Sequence, residues 1–240
     1  KYRASFHIKM SQLPSSIAIT WDGINYRTLN HLFKGEIDSL IKIINSEWGK
    51  FFPLTLDAMR ERLYSGAVFI GAYSDGKPLG VLETIALKLD GIQNTNSTSP
   101  EEKAKEVCSK IPPYNELTNN GLWRPHPEYA NVLVMVDITV SPEHRGSPVA
   151  NGIVNFTKAI LLEEQGLKRP QELSHVEYVV TFTPNITPIR LWHEKNWAFD
   201  TRVVLKDARP GYKVPDVNFM GYLSPGYRPP LGQRELTKSA

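Results

Sequence analysis

The chain has 240 residues, 41% of them hydrophobic, enough for one substantial core or two small ones. A net charge of +3 and a pI near 8.8 are too mild for a nucleic-acid surface, and the aromatics are not interleaved with Lys and Arg as a base-stacking platform requires. The single cysteine, Cys108, excludes an intrachain disulfide framework and points to a reducing, cytoplasmic setting. No apolar run reaches membrane-span length, and the opening KYRASFHIKM lacks a signal-peptide core.

In chain order, residues 17–21 read as a strand, Asp22-Gly23 as its turn and residues 26–29 as a second strand. Between Gly35 and Gly49, Ile37, Leu40, Ile41, Ile44 and Trp48 follow helical periodicity. Thr55 is placed as N-cap of a second helix that carries Leu56, Met59 and Leu63 and stops at Gly66. Residues 67–74 and 78–87 flank Asp75-Gly76 as a β-hairpin. Residues 88–131 are rich in Asn, Ser, Thr and Pro, with one helical piece opening at Ser99-Pro100. They exceed an ordinary connection and read as an excursion over a site or a partner. The sequon Asn96-Ser97-Thr98 has no meaning in a reducing compartment.

The most informative stretch follows. Val132 to Val136 form a continuous apolar run that continues through Asp137, Ile138, Thr139 and Val140 to Ser141-Pro142, the signature of a buried strand. The short loop Glu143-His144-Arg145-Gly146 leads to Ser147 as N-cap and Pro148 at the first helical position. Val149, Ile153, Phe156 and Ile160 then hold one helix face, and Gly166 marks its end. A strand entering a basic loop and then a helix N-terminus is an anion site in outline, because free N–H groups and the helix dipole converge there.

Residues 175–184 form the next strand, and Thr187-Pro188 opens the helix IRLWHEKNW. Residues 201–205 and 217–223 are the closing strands. The Pro-rich residues 226–240 read as a linker or tail, and the missing initiator Met fits a piece of a longer chain. This order gives an α/β layer with a mixed sheet, not a doubly wound parallel one. No His, Cys or carboxylate spacing suggests a metal site.

With Val140, Pro142, Arg145, Gly146 and Ala150 in place, residues 137–150 resemble motif A of the GNAT acyltransferases, with Pro148 where the family has Gly. Asn185, Pro188, Leu191, Trp192, Asn196 and Ala198-Phe199 resemble motif B. The resemblance implies a GNAT fold: a mixed twisted sheet of about seven strands flanked by helices. It divides the chain into an extension at 1–24, an acyl-CoA-binding domain at 25–225 with 88–131 inserted before the central strand, and a tail at 226–240. It also implies a coenzyme A thioester, malonyl-CoA or acetyl-CoA, as substrate. Ile138 and Val140 would line the pantetheine arm, and Arg145, Gly146, Ser147, Val149 and Ala150 the pyrophosphate, with Asn185 and Trp192 completing the site. Pro148 removes one amide donor from that loop.

Amine-acetylating members commonly use a Tyr in the last helix to protonate the leaving thiolate. Here no Tyr lies between Tyr178 and Tyr212, and Trp192, which is no acid at neutral pH, takes the aromatic place. The chain is more similar to the GNAT-like loading domains of curacin-type polyketide synthases. These decarboxylate malonyl-CoA and deliver acetyl to an acyl carrier protein, using a Thr, a His and an Arg. Thr139, His175 and Arg190 stand in those element positions, and Phe33 or Trp48 would supply the tunnel aromatic. In that chemistry Thr139 and His175 would donate to the enolate oxygen and Arg190 would hold the carboxylate. The competing readings are an acetyl-CoA-dependent N-acetyltransferase for a small amine and a non-catalytic docking module. Taken singly, Thr139 is an ordinary strand residue, His175 a surface His and Arg190 an i,i+4 partner of Glu194.

Overall fold

The computed structural model describes residues 16–29, 32, 34–50, 53–65, 67–92, 100–112, 114–119, 121–123, 126–184, 187–197, 201–205 and 216–222. Its strands are β1 (Ala18–Trp21), β2 (Ile24–Thr28), β3 (Phe69–Ser74), β4 (Lys77–Leu87), β5 (Val132–Val140), β6 (Tyr178–Pro184), β7 (Thr201–Leu205) and β8 (Asp216–Tyr222). Its helices are α1 (Lys34–Trp48), α2 (Leu56–Tyr64), α3 (Pro100–Lys110), α4 (Tyr114–Leu117), α5 (Val149–Leu161) and α6 (Thr187–Trp197). All eight strands form one sheet in the order β1-β2-β3-β4-β5-β6-β8-β7, one strand more than the sequence suggests. Only β5 and β6 run parallel, joined by the crossover through α5.

Turn chemistry sets the first half of the sheet. Asp22 and Gly23 have φ of 50° and 77°, and Asp75 and Gly76 have 48° and 74°. Positive φ at both central residues is the type I′ geometry whose twist matches a two-residue hairpin. β1 therefore belongs to the sheet, because its hairpin with β2 straddles the boundary expected at residue 24.

Helices cover both faces. On one, Val149, Ile153, Val154, Phe156 and Ile160 of α5 meet Tyr26, Ala72, Leu82, Ala86, Leu133 and Met135, with Trp192 of α6 packed alongside. The opposite face carries α1 and α2 over Phe69, Tyr73 and Val81. It continues with Val107, Cys108, Ile111, Leu117 and Trp123 of the 88–131 segment over Ile85, Leu87, Val132, Val134, Tyr178 and Val180. That segment is thus part of the core, not only an excursion. Its base is closed by Asn131, whose side chain accepts from Leu89 N (2.8 Å) and donates to Leu89 O (3.0 Å).

α5 starts at Val149, with Pro148 rather than Ser147 in the capping position and no side-chain cap. It ends at Leu161, a full turn before Gly166, because Glu163 and Gln165 already adopt left-handed φ of 53° and 56°. The α6 C-terminus is tied to α5 by Lys158, which donates to the Asn196 carbonyl at 2.9 Å.

Candidate active site

The site begins with a register change in β5. Gly80 through Glu83 pair with Val140 through Asp137, but Thr84 pairs with Met135, so Val136 is an extra residue on β5. A β-bulge of this kind puts two successive residues against one on the partner strand and inverts the side-chain alternation beyond it. Val136 joins the face under α3, whereas Ile138 and Val140 turn to the α5 side. Asp137 and Thr139 are left on the α1 and α2 side, where Thr139 Oγ1 donates to Asp137 Oδ2 at 2.9 Å. On the other edge of β5 the pairing with β6 spans only Val132–Met135 against Tyr178–Thr181. Past those positions β6 continues with β8 and β5 with β4, so the two parallel strands part. The opening and the bulge coincide.

Beneath that opening lies a buried charge network. Glu83, the register partner of Asp137, is 2% exposed and accepts from Arg62 Nη1 at 2.7 Å through Oε2. Arg62 also donates through Nε to Gly121 O (2.8 Å), and its guanidinium lies 3.7 Å from the Trp123 ring centre. Glu83 Oε1 has no hydrogen-bond partner among the described residues. Burial pushes the Glu83 carboxyl above the usual carboxylate range, against the opposing pull of Arg62. Trp123, with its indole N–H donating to Thr84 O at 3.2 Å, adopts φ of 62°, an unusual backbone conformation for a bulky residue. The 88–131 segment therefore reaches the site through Trp123 and Gly121.

The loop after β5 is built for close approach. Pro142 to His144 form a 3-10 turn in which Ser141 Oγ lies 2.9 Å from His144 Nδ1. Gly146 follows at φ 79°, with nothing within 4 Å of where a side chain would stand. Val149 N is 3.4 Å from Ser147 Oγ, and Gly152 N donates to Pro148 O. The N–H groups of Gly146, Ala150 and Asn151 have no acceptor among the described residues. These three amides and the positive end of the α5 dipole converge at one place, an arrangement whose chemistry suits an anion. Arg145 lies beside it, half exposed, and its Nη2 meets Glu47 Oε2 at 2.7 Å. Trp192 Nε1 donates to Asn151 Oδ1 at 2.8 Å, which holds α6 against the first turn of α5.

Of the expected catalytic trio, Thr139 and His175 are not brought together. Thr139 lies at the C-terminal end of β5, beside the opening. His175 is exposed and precedes β6, whose first residue pairs with Val132 at the opposite end of β5. The rise from Val132 to Thr139 is itself roughly 23 Å at about 3.3 Å per residue, so the two side chains cannot meet at one acyl group. His175 instead stacks edge-on with Tyr129 at 5.2 Å. The strand expected from His175 begins three residues later, at Tyr178. Arg190 lies on α6, although its side chain is outside the described residues, as are Asn185 and Phe33. Trp48 ends α1 and is packed with the α1–α2 core. Among the described residues no group of His, Cys, Asp or Glu could hold a metal ion. No described helix is long and apolar enough to cross a membrane.

Asp137, Glu83, Arg62 and Asn151 were not singled out from sequence. Only the lone Asp in the apolar run of β5 could have drawn attention. The other three gain meaning from the bulge and from the packing of α2 and α6.

No protein-family model matches the chain, and no curated protein matches it either. Solved structures do. An N-acetyltransferase from Staphylococcus aureus Mu50 superposes with a TM-score of 0.50 at 10% identity, over 84% of this chain and 99% of that one. A chain of the NatC complex bound to Gag peptide and CoA gives 0.51 at 11% identity, over 84% and 99%. The protein smu.2055 from Streptococcus mutans UA159 gives 0.50 at 14% identity, over 80% and 97%. At such identities the likeness is one of fold, and the fold is that of the GNAT acetyltransferases.

Proposed function

We propose that this chain is an acyltransferase that takes its acyl group from a coenzyme A thioester. The pyrophosphate rests on the amides of Gly146, Ala150 and Asn151, with Arg145 exchanging Glu47 for a phosphate oxygen. The pantetheine arm runs between the parted ends of β5 and β6, along the backbone of Ile138 to Val140. The thioester carbonyl then faces the side that bears Asp137 and Thr139. The acceptor attacks that carbonyl, its proton passes to Asp137, and the CoA thiolate leaves. One observation carries the reading: the opening between two parallel strands leads directly to free amides at a helix N-terminus. Solved proteins of this fold that include an N-acetyltransferase and a complex bound to CoA support it.

A second reading is the malonyl-CoA decarboxylase that passes acetyl to an acyl carrier protein. Thr139 beside the opening favours it, as does the lack of a Tyr between Tyr178 and Tyr212. In it the Thr139 O–H turns from Asp137 to the enolate oxygen and polarises it, and His175 has no part. Incubation with acetyl-CoA or malonyl-CoA, together with an amine panel and a phosphopantetheinylated carrier protein, separates the readings by mass spectrometry. Acylated amine with intact malonyl-CoA supports N-acyl transfer, and acetyl-CoA or acetyl carrier protein from malonyl-CoA supports decarboxylation. CoA binding without any turnover would leave a docking module, and no CoA binding would sink all three.

A further inference from the structure

Four residues lie side by side across four strands. Tyr26 of β2 pairs with Ala72, Ala72 with Gly80, and Gly80 with Val140. Ala72 and Gly80 leave a shallow trench between the two larger side chains, and the first turn of α5 sits over it. A methyl group on Gly80 would stand 3.0 Å from the Thr139 carbonyl, 3.1 Å from Val149 and 3.3 Å from Ile153. One on Gly152 would stand 2.0 Å from Tyr26 Oη, 2.2 Å from Cζ and 2.6 Å from Cε1. The ring cannot easily move aside, since Tyr26 is 2% exposed and is wedged against Trp21 and Phe156, with ring centres 5.4 and 6.4 Å away. Gly inside a helix is destabilising relative to Ala, and Gly152 has no positive φ to justify it. Its role is therefore close approach.

We propose that Tyr26 and Gly152 are positioning residues for the acyl-CoA site: the tyrosine ring is the stop on which the first turn of α5 rests, and the bare glycine lets the turn descend to it. This contact fixes the height of the Ala150 and Asn151 amides over the gap between β5 and β6. The pyrophosphate and the thioester of one ligand can then reach their places together. The inference rests on the acyl-CoA reading. It adds that cofactor affinity is set by a residue from the second strand of the sheet, remote in sequence from the loop that touches the ligand.

The test measures CoA binding by calorimetry and the ³¹P shift of bound CoA in four full-length proteins: wild type, Gly152→Ala, Tyr26→Leu and the double variant. Gly152→Ala lifts the turn and Tyr26→Leu lets it sink. Each should weaken CoA by about tenfold, the worth of one hydrogen bond to a charged group, and each should move the ³¹P signal of the bound pyrophosphate. The double variant, in which the shorter side chain receives the new methyl, should bind better than Gly152→Ala. Tyr26→Leu preserves the test if Gly152→Ala does not fold. Single variants with wild-type affinity and ³¹P shift would overturn the proposal, as would losses that simply multiply in the double variant. A wild-type protein that binds no CoA would instead overturn the acyl-CoA reading on which the proposal stands.

Discussion

Replacing Arg62 by Met removes the one charged group that, among the described residues, holds Glu83 in the interior. The two side chains are 9% and 2% exposed, so solvent does not screen the pair. Stranding one member of such a pair costs about 3–5 kcal/mol. A second, pH-independent loss of about 1 kcal/mol comes from the Gly121 carbonyl left without its donor. The pH dependence identifies the mechanism. Burial already raises the Glu83 carboxyl above its ordinary 4.5, and Arg62 opposes that rise through charge and hydrogen bonding. Without Arg62 the folded-state value climbs further while the unfolded value stays put. Between the two, the folded protein binds the proton more tightly than the unfolded chain. Stability is then fully present below about 4.5 and is lost as pH rises through the raised value, with a limiting slope of about 1.4 kcal/mol per pH unit. Urea unfolding at pH 5, 6.5 and 8 should show the gap between wild type and Arg62→Met widening toward high pH. Adding Glu83→Leu should close most of it. A gap of equal size at every pH, or one that widens toward acid, would refute a buried carboxylate as its source.

Two further outcomes are expected. His175→Ala should leave CoA affinity and any acyl transfer within about twofold of wild type, since exposed residues away from a site rarely change more; a tenfold loss in turnover would return it to the mechanism. Burial raises the Cys108 thiol to about 12, so the native protein should resist Ellman's reagent at pH 8 and react promptly once unfolded in urea. Prompt labelling of the native protein would show that α3 opens locally.

Much of the fold was legible because local chemistry and periodicity agreed. The Asp-Gly turns at 22–23 and 75–76, the Thr55 cap and the apolar face of α5 each had a single good reading. Site residues were harder, for identifiable reasons. Val132 to Val140 looks uniform as a sequence, yet one extra residue reverses which side chains face which layer. Ser147 is a better cap than Pro148 by propensity, but the helix starts one residue later. His175 falls at the start of a plausible strand, but β6 runs parallel to β5, so its start lies at the end of the sheet opposite Thr139. The polar residues of 88–131 suggested a surface cover, while Val107, Cys108, Ile111, Leu117 and Trp123 are all at most 7% exposed. A few buried anchors matter more there than average composition.

The extra residue at Val136 makes β5 a strand of two phases. Taking it into the ladder opposite Glu83 would do more than close the bulge. It would shift the register by one and rotate everything after it by half a turn, sending Asp137 and Thr139 into the apolar layer beneath α5 and moving Ile138 and Val140 to the side of Glu83. The loop amides would remain in sequence while the chemistry meant to meet them changed sides. An intact loop motif is therefore a poor marker of function in a chain of this kind, because the parity of the strand before it decides what the bound ligand encounters.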